Sequence, residues 1–120
     1  MFLIHDAARP DFSIKILKKL INNLKKNKAV LTVLKSNDSI KYKIKNQLFN
    51  LNRNNSYLTQ TPQAFKFKDL YELSINKKNK IQDEATLFID NNLNIKFIKG
   101  ENLNYKVTYK EDINETKTYY

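Results

Sequence analysis

The chain has 120 residues, 41% of them apolar, and a net charge of +10, enough for one modest core and too apolar for a disordered segment. It holds no cysteine, which excludes a disulfide frame and a thiolate site, and no apolar run approaches the roughly 18 residues of a membrane span. Lysine supplies 20 of the 22 basic residues and is spread along the whole chain, which predicts a solvated surface rather than a nucleic-acid-binding stripe.

Residues 1–5 read as an opening strand buried on both faces. Ser13 then caps a helix in "SIKILKKLINNLKKNK", where Ile14, Leu17, Leu20, Ile21 and Leu24 form one apolar stripe. "AVLTVLK" (29–35) is a continuous apolar strand of the parallel type, so the first 35 residues predict a βαβ unit. In "SIKYKIKNQLFNL", Ile40, Tyr42 and Ile44 alternate with lysines, and "NQ" turns the chain into a half-solvated hairpin. Such an arm buries its apolar face poorly alone, and a partner subunit is the simplest cover for it; folding back on its own domain is the alternative.

"SYLTQTPQAF" predicts a strand that ends, or lies at an edge, at Pro62. Helices follow over residues 67–77, with Leu70, Leu73 and Ile75, and in "DEATLFIDNN", with Leu87, Phe88 and Ile89 inward. "NIKFIKG" reads as a strand closed by Gly100, "NYKVT" as a short extended piece, and "KEDINETKTYY" as a polar terminal helix. The pattern is α/β. A first strand that needs neighbours on both sides makes the chain look like the second half of a larger doubly wound domain. Gly100 is the single glycine, so no glycine-rich loop for a nucleotide triphosphate lies within these residues.

The strand end "HDAARP" sets a carboxylate and a guanidinium three residues apart. Strand ends of open α/β sheets are where ligands bind. Asp6 offers a hard oxygen ligand for Mg²⁺, and Arg9 a planar fork suited to phosphate. By residue type alone, a turn cap for Asp6 and a surface ion pair for Arg9 explain them as well. His5, the single histidine, predicts a structural hydrogen bond.

"HDAARP", "NDSIK", "NRNNSYLTQTPQAF", "DEA" and "NYKVT" followed by "EDI" together resemble the methylerythritol-phosphate cytidylyltransferases of isoprenoid precursor synthesis, over essentially the whole chain. The resemblance implies a partial doubly wound, Rossmann-like nucleotidyltransferase sheet with an inserted β-hairpin arm. It makes residues 1–120 the C-terminal half of one domain, with a dimerisation arm at about 36–57. It also implies transfer of a cytidylyl group from CTP to 2-C-methyl-D-erythritol 4-phosphate, with Mg²⁺, in a cytoplasmic homodimer. Neither membrane nor nucleic acid is an expected partner.

By the same resemblance Asp6 is catalytic and at the metal, Lys106 is catalytic and meets the nucleotide phosphates, and Ala7 lines the nucleotide. Arg9, Ser39, Arg53, Thr61 and Asp83 bind the acceptor substrate, Arg53 reaching in from the partner's arm. Asn52 and Gln82 depart from the family pattern, which has an acid and a threonine there. A ribitol-phosphate-type cytidylyltransferase and an inactive fragment, or non-enzymatic basic binding module, are the alternatives. Without a nucleotide loop, the 120 residues alone are expected to be inactive.

Overall fold

The computed structural model describes residues 1–76 and 83–115. Among these residues there are six strands and three helices: β1 (Phe2–Ile4), α1 (Ile14–Leu24), β2 (Ala29–Lys35), β3 (Ile40–Ile44), β4 (Gln47–Leu51), β5 (Tyr57–Phe65), α2 (Phe67–Ile75), α3 (Glu84–Asp90) and β6 (Ile95–Lys99). Short 3-10 segments cover Arg53–Asn55 and Lys110–Glu115. Residues 104–108, expected to be extended, lie in no ladder, and the end of the terminal helix read over 110–120 falls outside the described residues.

The main sheet has the order β1-β5-β2-β6. β5 runs antiparallel to both β1 and β2, and β6 runs parallel to β2. β1 and β2 therefore point the same way around α1, as in a βαβ unit, but β5 from later in the chain is inserted between them. Among the described residues β1 has β5 as its single neighbour, and Phe2 and Leu3 are exposed along its open flank, where the expected burial needs a further neighbouring strand. Periodicity reports apolar content, not which strand becomes a neighbour.

Alternation along β2 splits the core. Ala29, Leu31 and Val33 pack with Phe65, Leu70, Ala85, Leu87 and Phe88 beneath α2 and α3. Val30 packs with Ala64, Ile98 and the α1 residues Ile16, Leu20 and Leu24 on the other face. The four-residue row Ile16–Leu20–Leu24 is the buried stripe, while Ile14 and Ile21 are exposed. Ile89, expected inside, is exposed, and so is Ile75. Each stands near a helix end, where the apolar row turns away from the sheet.

Two departures bear on the site. Pro62 neither ends its strand nor sits at an edge; it is buried in central β5, with a cis Thr61–Pro62 bond. Val30 pairs with Ala64 but Thr32 pairs with Gln60, so residues 61–63 form a bulge, and Thr32 Oγ1 donates to Pro62 O at 2.7 Å. A bulge removes the ladder bond that proline could not make. The hairpin turn lies one residue earlier than expected, at Lys45 and Asn46 with φ of 47° and 66°, since a two-residue turn of this hand needs both central residues at positive φ. β3 and β4 form their own sheet, with Tyr42 stacked on Phe49 at 5.0 Å.

Candidate active site

The turn after β1 is tied to the β5 bulge. Asp6 N donates to Thr61 Oγ1 at 2.8 Å, which leaves the hydroxyl hydrogen of Thr61 available to another acceptor. Arg9 folds back over this turn. Its Nε donates to Asp6 Oδ2 at 3.3 Å and its Nη1 to Asn104 O at 2.7 Å, with the side chain only 12% exposed. Of the five N–H groups of a guanidinium, these contacts use two. His5 Nε2 donates to Arg9 O at 2.8 Å, and its ring packs on Phe12, the structural hydrogen bond expected of it.

Two further walls close around this turn. Asp83 caps α3, its Oδ1 accepting from Thr86 N and Thr86 Oγ1 at 2.9 and 2.8 Å. The segment after β6 is held by backbone and side chain: Val107 N donates to Ala8 O at 2.7 Å, and Asn104 Nδ2 donates to Thr61 O at 2.8 Å. The result is a cavity of about 380 Å³ lined by Ile4, Asp6, Arg9, Thr59, Gln60, Thr61, Gln63, Asp83, Glu84 and Lys106. A larger hollow of about 550 Å³ beside Tyr57 and Phe97 has no carboxylate in its lining. Convergence of both signs of charge, rather than size, marks the smaller one as the candidate.

Asp6, Arg9, Thr61, Asp83 and Lys106, separated by up to 100 residues, thus share one cavity. Ala7 is exposed and does not line it; Ser39 and Arg53 stand outside it on the hairpin side, Arg53 Nη1 donating to Asn37 O at 3.0 Å. Gln82 lies outside the described residues. Gln60 and Asn104, which the sequence does not single out, prove central. Gln60 exchanges two hydrogen bonds with the Glu101 backbone, at 3.1 and 3.3 Å, and its buried side chain presses on Gly100. Both amides lie within the motifs "NRNNSYLTQTPQAF" and "NYKVT", the one signal that could have found them.

Lys106 is exposed and takes part in neither of the two ion pairs found among the described residues. Arg9 and Lys106 supply the positive field, Asp6, Asp83 and Glu84 the negative. No cluster of three or more His, Cys, Asp or Glu residues suited to a metal occurs among the described residues. A magnesium ion held by one or two carboxylates plus phosphates does not require such a cluster, so the partly exposed Asp6 fits as a single protein ligand.

Beyond Lys106 the chain is latched by Asp112. Its Oδ2 accepts from Tyr109 N and Thr108 N, both at 2.9 Å. These bonds, Tyr109's first and Thr108's second, hold the carboxyl below its ordinary value. Because the folded value is depressed, the latch contributes fully above the ordinary carboxylate range and is lost as pH falls through the folded value. In an NMR titration the Thr108 and Tyr109 amide shifts should move together at a midpoint below the ordinary aspartate value. Asp112→Asn should remove that transition.

The family profile of IspD, 2-C-methyl-D-erythritol 4-phosphate cytidylyltransferase, matches residues 1–120. The chain belongs to the IspD family. The bifunctional enzyme IspD/IspF of Pelagibacter ubique (strain HTCC1062) is 50% identical over 111 residues, covering 92% of this chain and 30% of that protein. The 2-C-methyl-D-erythritol 4-phosphate cytidylyltransferase of Caldicellulosiruptor bescii is 34% identical over 112 residues, covering 92% of this chain and 50% of its own. Among solved structures, the 4-diphosphocytidyl-2C-methyl-D-erythritol synthase of Anaerococcus prevotii superposes with a TM-score of 0.83 at 38% identity, over 92% of this chain and 54% of that one. The chain thus spans about half the length, or less, of these IspD relatives, and shares their Rossmann-like nucleotidyltransferase fold. No helix among the described residues is long and apolar enough to cross a membrane.

Proposed function

We propose that these 120 residues are the C-terminal half of a single cytidylyltransferase domain and carry the acceptor side of its active site. The reaction is transfer of the cytidylyl group of CTP to 2-C-methyl-D-erythritol 4-phosphate, giving 4-diphosphocytidyl-2-C-methyl-D-erythritol and pyrophosphate. The observation that carries the proposal is the sharing of one cavity by Asp6, Arg9, Thr61 and Lys106 in a chain of this family.

An oxygen of the acceptor phosphate attacks the α-phosphorus of CTP in line; one P–O bond forms and the bond to pyrophosphate breaks. Both partners are polyanions, so charge neutralisation supplies most of the acceleration. Arg9, already anchored on Asp6 and the Asn104 carbonyl, presents its remaining N–H groups to the acceptor phosphate. Thr61 donates its hydroxyl hydrogen to the same group, and Asp83 accepts from the substrate's hydroxyls. Lys106 meets the nucleotide phosphates where charge builds up, and Ala7 lies along the nucleotide's path. When bound, magnesium would be held by Asp6 and substrate phosphates, and would neutralise developing charge.

The arm completes the site from a second subunit in this proposal. Its hairpin leaves Tyr42, Ile44 and Leu51 exposed on one face, an apolar surface suited to a partner copy, with Ser39 and Arg53 gripping the acceptor phosphate from there. The substrates are small water-soluble phosphates, which suits a cytoplasmic enzyme.

The test uses the chain alone and the chain joined to the nucleotide-binding portion of a relative. The chain alone should release no pyrophosphate from CTP, and turnover by it would contradict the assignment. In the joined enzyme, Arg9→Ala should raise KM for the acceptor by about tenfold or more, the worth of a charge-assisted hydrogen bond, and change KM for CTP much less. Equal effects on both substrates would remove Arg9 from the acceptor phosphate.

A further inference from the structure

The cavity's walls meet at one side chain that the mechanism above does not use. Asn104 is 0% exposed and stands two residues before Lys106. Its Nδ2 donates to Thr61 O at 2.8 Å and to Gln60 Oε1 at 3.3 Å. Its backbone carbonyl accepts Arg9 Nη1 at 2.7 Å, and its N–H donates to Glu101 O at 3.1 Å. One residue therefore joins the β5 bulge, the guanidinium of Arg9 and the segment that carries Lys106. Its Oδ1 is buried with no partner among the described residues. An orphaned buried acceptor is costly, and a small apolar residue would avoid that cost. The amide is explained by what its other end does, which is to donate twice into β5.

We propose that Asn104 is a positioning residue that sets Arg9 and Lys106 against Asp6 and Thr61 by clamping the Lys106 segment onto β5. The inference rests on the acceptor-site reading for its effect on substrate, and on geometry alone for the clamp. Without the Nδ2 donors, Thr61 O loses its partner and the turn at residues 101–104 is released. The carbonyl that steers Arg9 then moves, and the guanidinium is left to Asp6 alone. Lys106 shifts with the same segment.

Two readouts in the 120-residue chain separate the clamp from the substrate assignment. The first is amide hydrogen exchange at Val107, whose N–H donates to Ala8 O across the site. Asn104→Ala should speed exchange there by about tenfold or more while leaving Leu31, in the middle of β2, unchanged. Unchanged exchange at Val107, or an equal rise at both amides, would overturn the clamp. The second is calorimetric binding of 2-C-methyl-D-erythritol 4-phosphate in a double-mutant cycle with Arg9→Lys. Asn104→Ala should weaken binding by about tenfold in the parent and by much less in the Arg9→Lys background, because it acts through that arginine. The same factor in both backgrounds would overturn the positioning role. A parent chain that binds no acceptor refutes the functional assignment and leaves the Val107 exchange to decide the clamp. Asn104→Ser, whose hydroxyl is too short to reach both acceptors, carries both readouts if the alanine variant does not fold.

Discussion

Lys106→Ala in the joined enzyme is expected to lower kcat by about 100- to 1000-fold, the usual loss when one preorganised charge stabiliser is removed. KM for the acceptor should stay near its starting value, because in the proposed mechanism the ammonium acts on charge that builds up during transfer rather than on acceptor binding. The geometry behind this expectation is specific to one lysine among 20. Lys106 lines the cavity that holds Asp6 and Arg9, it is in neither ion pair, and its segment is fixed to Ala8 through Val107. Lys106→Arg should recover part of the rate, since the charge returns on a head group of different shape. Steady-state kinetics of the three proteins check the prediction. A Lys106→Ala enzyme that keeps its kcat and loses only acceptor affinity would move the lysine from the nucleotide to the acceptor.

The largest stability effect is expected from Gly100→Ala. A Cβ at Gly100 would collide with Gln60 Oε1 and come within 3.0 Å of Thr32 Cγ2. A free glutamine would swing aside. This one accepts from Glu101 N and Asn104 Nδ2 and donates to Glu101 O, so moving it breaks bonds inside the core. Overpacking of this kind costs about 1–3 kcal/mol, and the broken hydrogen bonds push the value toward the upper end. Urea unfolding should show the loss as a lower midpoint at unchanged slope. Gln60→Ala removes the obstacle, so Gly100→Ala should cost little further in that background. Equal costs in the two backgrounds would mean that Gln60 is not what excludes a side chain there.

Local chemistry carried much of this fold in plain view. Apolar continuity marked β2, lysine alternation marked the hairpin, and Ser13 marked the start of α1, where its hydroxyl accepts from Ile16 N. The failures share a cause. The central position of β5 and the buried bulge at Pro62 depend on which distant strand becomes a neighbour, and no window of sequence contains that. Ile14, Ile21 and Ile89 belong to the same class, for their apolar character is visible and their direction is not.

The site divides in the same way. Asp6, Arg9, Thr61, Asp83 and Lys106 stood inside quoted motifs and reached one cavity. Gln60 and Asn104 stand inside those motifs as well, yet nothing in residue type sets them apart in a chain where asparagine is abundant. A buried amide and a solvated one look alike until the carbonyls around them are known.

The position of β1 at the rim of the sheet has a mechanical consequence. Asp6 follows Ile4 by two residues, and among the described residues β5 is the one strand that steadies that tip from the side. Any polypeptide segment laid along the outer flank of Phe2–Ile4 would press on the carboxylate turn almost directly. Stiffening the flank and ordering the proposed acceptor pocket are then one event, and binding at either should be felt at the other.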